Sequence, residues 1–146
     1  MITIEDSIYI DRPVRQVFSY ATDLNKNSHW QTDVIHSEQT SSGPFGEGAT
    51  YRLVNRFLGQ RLEMEGVISK FEPDHRCTFQ LLTGPVRGRN SFLFEPVNGG
   101  TRFTTRGVLE LQGLKLAGFL VRRKARQQVR NDLQKLKQIL ENQTES

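Results

Sequence analysis

"IDRPVRQVFSYATDLNKNSHW", residues 10–30, joins the apolar end of one run to a proline, two interrupted helical turns and the only tryptophan of the chain. Pro13 has a fixed φ and no N–H, which suits the first turn of a helix, and Val14, Val17, Phe18 and Ala21 follow at three- and four-residue spacing. This spacing predicts a helix of about nine residues. Thr22 and Asp23 are capping types, after which Leu24 with His29 or Trp30 makes one face of a second short helix that restarts at a new angle. Two stubby helices so early need something on either side to connect.

On the N-terminal side, "ITIEDSIYI" alternates Ile2, Ile4, Ile8 and Ile10 with polar neighbours, the period of a half-buried strand. After Gln31 come six extended runs: "VIHSEQTS", "GATYRLVNRFLG", "QRLEMEGVISKFEP", "HRCTFQLLTGP", "VRGRNSFLFEPVNG" and "GTRFTTRGVLELQG". Turn material at Gly43-Pro44, Gly59, Pro73-Asp74, Gly84-Pro85 and Asn98-Gly99-Gly100 punctuates them, which predicts an antiparallel meander. From about Gly113 the period becomes helical, with Leu114, Ala117, Val121, Ala125, Val129, Leu133, Leu136 and Leu140 on one stripe. The expected fold class is α+β: a seven-stranded curved antiparallel sheet wrapped around a long C-terminal helix, with two short helices between strands 1 and 2. The 146 residues hold no repeat and no linker, so a single domain over 1–146 is expected.

Alternation assigns the inward faces of the strands. They are Tyr51, Leu53, Asn55 and Phe57; Leu62, Met64, Gly66 and Ile68; Cys77, Phe79 and Leu81; Asn90, Phe92 and Phe94; and Phe103, Thr105, Gly107 and Leu109. The outward positions carry arginines and glutamates, so one face is apolar and the other wet. A helix of roughly 27 residues spans about 40 Å at 1.5 Å per residue, yet its stripe is too narrow to fill a strongly curved sheet. Gly66, Gly107, Thr105, Asn55 and Asn90 also stand where a packed core would use branched aliphatics. Together these predict a cavity between sheet and helix, its end closed by the short helices with Trp30 as a plug at the rim.

Charge is uneven. Eight basic residues between Leu114 and Leu140 face only Asp132, a net +7, while the remaining 12 basic and 15 acidic residues give −3. No apolar run is long enough to cross a membrane, and Glu5 and Asp6 sit where a signal peptide would be apolar, so a soluble, cytoplasmic protein is expected. Cys77 is the single cysteine, which excludes an internal disulfide and a multi-cysteine metal site.

His29, His36 and His75 form no pair at metal-ligand spacing, and no cofactor motif is present, so neither a metal nor a cofactor is expected. Nucleophile elbow, phosphate loop and dinucleotide fingerprint are all missing; the glycines of "GPVRGRNS" fall inside a hairpin. Lying beside Trp30 near the expected cavity mouth, His29 is the candidate general acid or base. The inward strand faces contain no carboxylate, so catalysis would lean on His29 or on arginines such as Arg87, with hydrogen bonds from Tyr51 or Asn55. The expected ligand-binding set is Trp30, Tyr51, Leu53, Asn55, Leu62, Met64, Phe79, Asn90, Phe92, Phe103, Thr105 and Val121. In "GLKLAGFLVRRKARQQVR", Leu114, Leu116, Phe119 and Leu120 precede a basic cluster. This arrangement suits a lid or homodimer contact, or transient contact with an anionic membrane surface. With no interleaved aromatics, no specific nucleic-acid binding is expected.

The order of these parts resembles the polyketide cyclase/dehydrase and lipid-transport family, within the START-like, birch-pollen-allergen-like (SRPBCC) superfamily. Its carriers are Pro13, Val17 and Phe18 at the first helix, the Asp23 to Trp30 spacing, and Leu133, Leu136 and Lys137 near the end, and it covers roughly Ile2 to Glu141. The resemblance implies the helix-grip fold, a deep hydrophobic cavity, a small lipophilic ligand and usually no metal. Family members range from aromatase/cyclases to lipid and quinone carriers and hormone receptors, so fold analogy does not choose an activity. The expected function is binding of a small hydrophobic ligand, a lipid, polyketide or other lipophilic metabolite, as carrier or sensor; its rival is a polyketide cyclase/dehydratase-like enzyme acting on a cavity-bound aromatic or polyketide substrate.

Overall fold

The computed structural model describes residues 2–57, 59–111 and 118–143. Strand β1 (Ile2–Ile10) leads into helix α1 (Val14–Ala21), a single 3-10 turn (Leu24–Lys26) and helix α2 (Asn27–Trp30). Strands β2 (Val34–Gln39), β3 (Thr50–Phe57), β4 (Gln60–Glu72), β5 (Arg76–Thr83), β6 (Val86–Val97) and β7 (Gly100–Leu111) follow, then helix α3 (Gly118–Glu141). Pro13 is the residue that caps α1, at φ −58° and ψ 147°, so it starts the helix from an extended approach. The Thr22 hydroxyl donates to Phe18 O at 2.7 Å and ends α1, while Asp23 accepts from the Asn25 N–H at 3.0 Å and starts the next turn. Adjacent stop and start signals make the break the sequence pattern predicts.

All seven strands form one antiparallel sheet in the order β1-β7-β6-β5-β4-β3-β2. Strands β1 and β2 are therefore opposite edges of the sheet, and the short helices carry the chain from one edge to the other. The register of β4 against β5 shifts between Glu65 and Gly66 and again between Ile68 and Lys70, and that of β2 against β3 shifts between Val34 and His36, the local signature of bulges that bend a strand. Helix α3 lies along β1. The Arg130 guanidinium pairs with the Asp6 carboxylate, Lys137 Nζ donates to Tyr9 O at 2.7 Å, and the Asp11 N–H donates to Glu141 Oε2 at 2.8 Å. From 130 to 141 a helix rises about 16 Å, and from 6 to 11 a strand advances about the same, so the two run side by side without slipping out of step.

One end of the grip is solid. Phe18, Phe94, Phe103, Phe92 and Trp30 form a chain of tilted and edge-on ring pairs, with centroids 4.9–6.1 Å apart. Leu133, Leu136 and Leu140 press on this aromatic floor with no exposed surface. Trp30 is 2% exposed, so it is an interior wall and not the rim plug its position suggests. Leu114, Leu116, Ala117 and the Phe119 side chain lie outside the described residues.

Candidate functional site

Away from the aromatic floor, sheet and helix separate around a cavity of about 230 Å³. Cross-strand register builds its walls. Leu53 faces Met64 and Asn55 faces Leu62 across β3 and β4, while Phe92 faces Thr105 and Asn90 faces Gly107 across β6 and β7. Ile4 and Ile2 extend this wall on β1 opposite Gly107 and Leu109. From α3 come Val121, Ala125, Gln128, Val129, Asp132 and Leu133. Space of this volume exceeds the ~150 Å³ apolar cavity that admits benzene, so a guest on the order of ten non-hydrogen atoms fits it.

Of the expected ligand residues, Trp30, Tyr51, Leu53, Asn55, Leu62, Met64, Phe79, Asn90, Phe92, Thr105 and Val121 line this space. Phe103 does not. It points inward but belongs to the aromatic floor, fully buried between Trp30, Phe92 and Phe94. His29 does not either. On the single turn of α2 the inward positions are Asn27 and Trp30, three residues apart, which turns His29 out to solvent. Arg87 is exposed and donates to Leu82 O on the hairpin. Gly66, expected to open onto the cavity, instead lies under the Tyr51 ring: a Cβ there would stand 2.4 Å from the tyrosine hydroxyl and 2.5 Å from Gln80 O. Gly107 does open onto it.

The wall also carries a carboxylate that the strand faces lack. Asp132 sits on α3 with 7% of its surface exposed, and the Thr32 backbone N–H and hydroxyl both donate to its Oδ1, at 3.1 and 3.0 Å. Burial is the main cause that pushes its carboxyl up to about 6 from 3.8; the two Thr32 bonds and Lys135 act against it and the Asp33 charge reinforces it. The signal was in the sequence. Asp132 stands three residues after Val129, one before Leu133 and four before Leu136, inside the apolar stripe of α3.

Other polar groups share the cavity. Thr105 Oγ1 donates to Asn90 Oδ1 at 3.0 Å, so this pair is satisfied. Asn27 Oδ1, Asn55 Oδ1 and Trp30 Nε1 are buried with no hydrogen-bond partner among the described residues. The Tyr51 hydroxyl is held above its ordinary range by burial and then by the neighbouring Cys77, and burial pushes the Cys77 thiol up to about 12, so neither ionises near neutral pH. Among the described residues no three His, Cys, Asp or Glu side chains gather as a metal site would require.

Residues 1–141 match the family described as polyketide cyclase / dehydrase and lipid transport. No curated protein matches the chain. Its architecture is similar to that of a START superfamily protein from Mycobacterium smegmatis, with a TM-score of 0.84, 14% identity, and 97% of this chain covering 99% of that one. Ara h 8.0201 is similar at a TM-score of 0.69 and 12% identity, over 94% of this chain and 96% of its own. The Aha1 dimer from Colwellia psychrerythraea, a solution structure, aligns at a TM-score of 0.65 and 19% identity, over 97% and 98%. At these identities the likeness is one of fold, the curled sheet gripping a long helix.

Proposed function

The chain belongs to the polyketide cyclase / dehydrase and lipid transport family, and from that premise we propose that it binds a small hydrophobic ligand between sheet and α3, as a carrier or sensor. One observation carries this reading. The walls contributed by Leu53, Leu62, Met64, Phe79, Phe92 and Val121 are apolar and face space that the chain's own side chains leave unfilled. Burying the apolar surface of a guest there gains roughly 25 cal/mol per Å², without first displacing a packed core. Lipophilic compounds of bicyclic size should raise the melting temperature and perturb Trp30 fluorescence. A flat response across a broad panel of that size removes the reading.

A second reading is a cyclase/dehydratase-like enzyme, and Asp132 is the observation that favours it. With a carboxyl near 6, it sits close enough to neutrality to take a proton from an enolisable carbon and return it to a leaving oxygen. Turnover of a poly-β-ketone by the wild type and its loss in Asp132→Asn would support this, and equal turnover in both would exclude Asp132 from the chemistry.

Leu120, 53% exposed, and the exposed Arg122, Arg123, Lys124 and Arg126 form the surface where we place a homodimer contact or transient contact with an anionic membrane, in a cytoplasmic protein. Sedimentation with and without anionic vesicles separates the two contacts. The Aha1 neighbour is a dimer in solution, which favours the first.

A further inference from the structure

We propose that Asp132 is the polar anchor of the cavity and that the natural guest carries an N–H or O–H donor directed to its uncommitted carboxylate oxygen, an inference that rests on the binding reading above. Both bonds from Thr32 fall on Oδ1, and Oδ2 has no hydrogen-bond partner among the described residues. Asp132 is a wall residue of the cavity, between Val129 and Leu133 of α3. Oδ2 of this mostly buried side chain keeps accessible surface, so it is free to accept from a donor on a guest. Two further acceptors on wall residues, Asn27 Oδ1 and Asn55 Oδ1, are fully buried and without a hydrogen-bond partner among the described residues. An amide can turn over to present its N–H groups instead, but an ionised carboxylate accepts only, so Asp132 sets the polarity of the site.

The charges around it point the same way. Asp33 adds a second negative charge nearby, and Lys135 on the same helix is the one cation among the described residues that acts on the group. The desolvation that lifts its carboxyl toward neutrality is left largely uncompensated by the protein itself. A donor on the guest supplies the compensation, while an anionic head group adds repulsion. The ligand class is therefore a compact, mostly apolar amine, phenol or alcohol, and free fatty acids and other lipophilic carboxylates are disfavoured.

Four probes of one ring system test this by isothermal titration at pH 8, where Asp132 is ionised: naphthalene, 2-naphthol, 2-naphthylmethylamine and 2-naphthoate. The wild type should bind 2-naphthol, 2-naphthylmethylamine or both about tenfold or more tighter than naphthalene, the usual worth of a hydrogen bond to a charged group. It should bind 2-naphthoate most weakly. The amine leading identifies a cationic donor as the preferred guest, and the naphthol leading identifies a neutral one. In Asp132→Asn, whose amide oxygen keeps the Thr32 bonds, the preference for donors should fall to within about twofold. Naphthalene binding as tightly as both donors, or 2-naphthoate binding tightest, overturns the anchor while leaving apolar binding intact. Failure of all four to bind removes the binding reading itself, and the anchor with it. The wild-type ranking stands as a test even if the variant does not fold.

Discussion

From Leu136 onward α3 buries Leu136 and Leu140 completely against an aromatic floor, whereas from Val121 to Leu133 the same apolar stripe borders open space. Both halves face one continuous sheet. What differs is the side chains opposite: at the solid end Phe92, Phe94, Phe103 and Trp30 fill the volume, while at the hollow end Gly107, Thr105 and Asn90 leave it. One helix thus divides labour along its length, its C-terminal half holding the fold together and its N-terminal half defining a chamber. The carboxylates follow the same division. Asp132 at the chamber is pushed up to about 6, while Glu141 at the solid end is held below its ordinary range although slight burial opposes this, because the Asp11 N–H and the Lys137 ammonium stabilise its charge.

The sharpest way to break this contrast is a pair of truncations. Leu136→Ala should cost about 3–4 kcal/mol in urea denaturation and Val121→Ala less than about 1.5 kcal/mol, because only the first opens a void in packed surroundings. Equal losses would mean that the two ends are packed alike. Asp132 gives the next largest effect. The folded protein holds its proton up to about pH 6, while the unfolded chain releases it near 3.8, so between these values the unfolded chain binds fewer protons and stability falls as pH rises. That loss amounts to at most roughly 3 kcal/mol. Asp132→Asn should therefore be more stable than wild type at pH 8 by up to that amount and no more stable at pH 3, measured by denaturation at each pH. A wild type that gains stability between pH 4 and 7 relative to Asp132→Asn would contradict the placement of this charge.

Two glycines refine the contrast further. Gly66→Ala drives a Cβ into the Tyr51 ring and a backbone carbonyl, an overpacking that should cost about 1–3 kcal/mol. Gly107→Ala meets nothing closer than Asn90 Oδ1 at 3.5 Å, so its melting temperature should stay within a few degrees of wild type while the narrowed chamber binds probes less tightly. Smallest of all is Glu141→Gln, expected to cost within about 1 kcal/mol for a partly exposed ion pair. Its carboxyl is lowered on folding, so the contribution is present above the unfolded value of 4.5 and disappears as the pH falls below it.

The strand pattern, the break at Thr22-Asp23 and the long helical stripe were legible because period two and period 3.6 are imposed by the backbone itself. The chamber was legible in outline from small and polar residues on inward strand faces. Its contents were less so. Alternation says that Phe103 and Gly66 face inward, but not whether inward means against a filled floor, under a tyrosine ring, or toward open space; that depends on side chains that other strands and helices bring alongside, such as Tyr51 over Gly66 and Trp30 against Phe103. Proximity along the chain misplaced His29, since consecutive residues of a helix point about 100° apart and Trp30 takes the inward direction. Asp132 escaped because its charge counted toward a wet, basic helix face, although its helical position puts it in the apolar stripe.

The sheet order has a consequence for how the molecule assembles. Strands β2 to β7 each pair with their sequence neighbours, but β1 must wait for β7, since Ile2 pairs with Leu109. Closing a loop of this length is entropically expensive and slow. The topology therefore predicts that the first strand docks late, and that α3, fastened along β1 by Arg130, Lys137 and Glu141, settles with it. Maturation of the chamber is tied to that late docking step, so a chain stopped before β7 would offer a guest only half a wall.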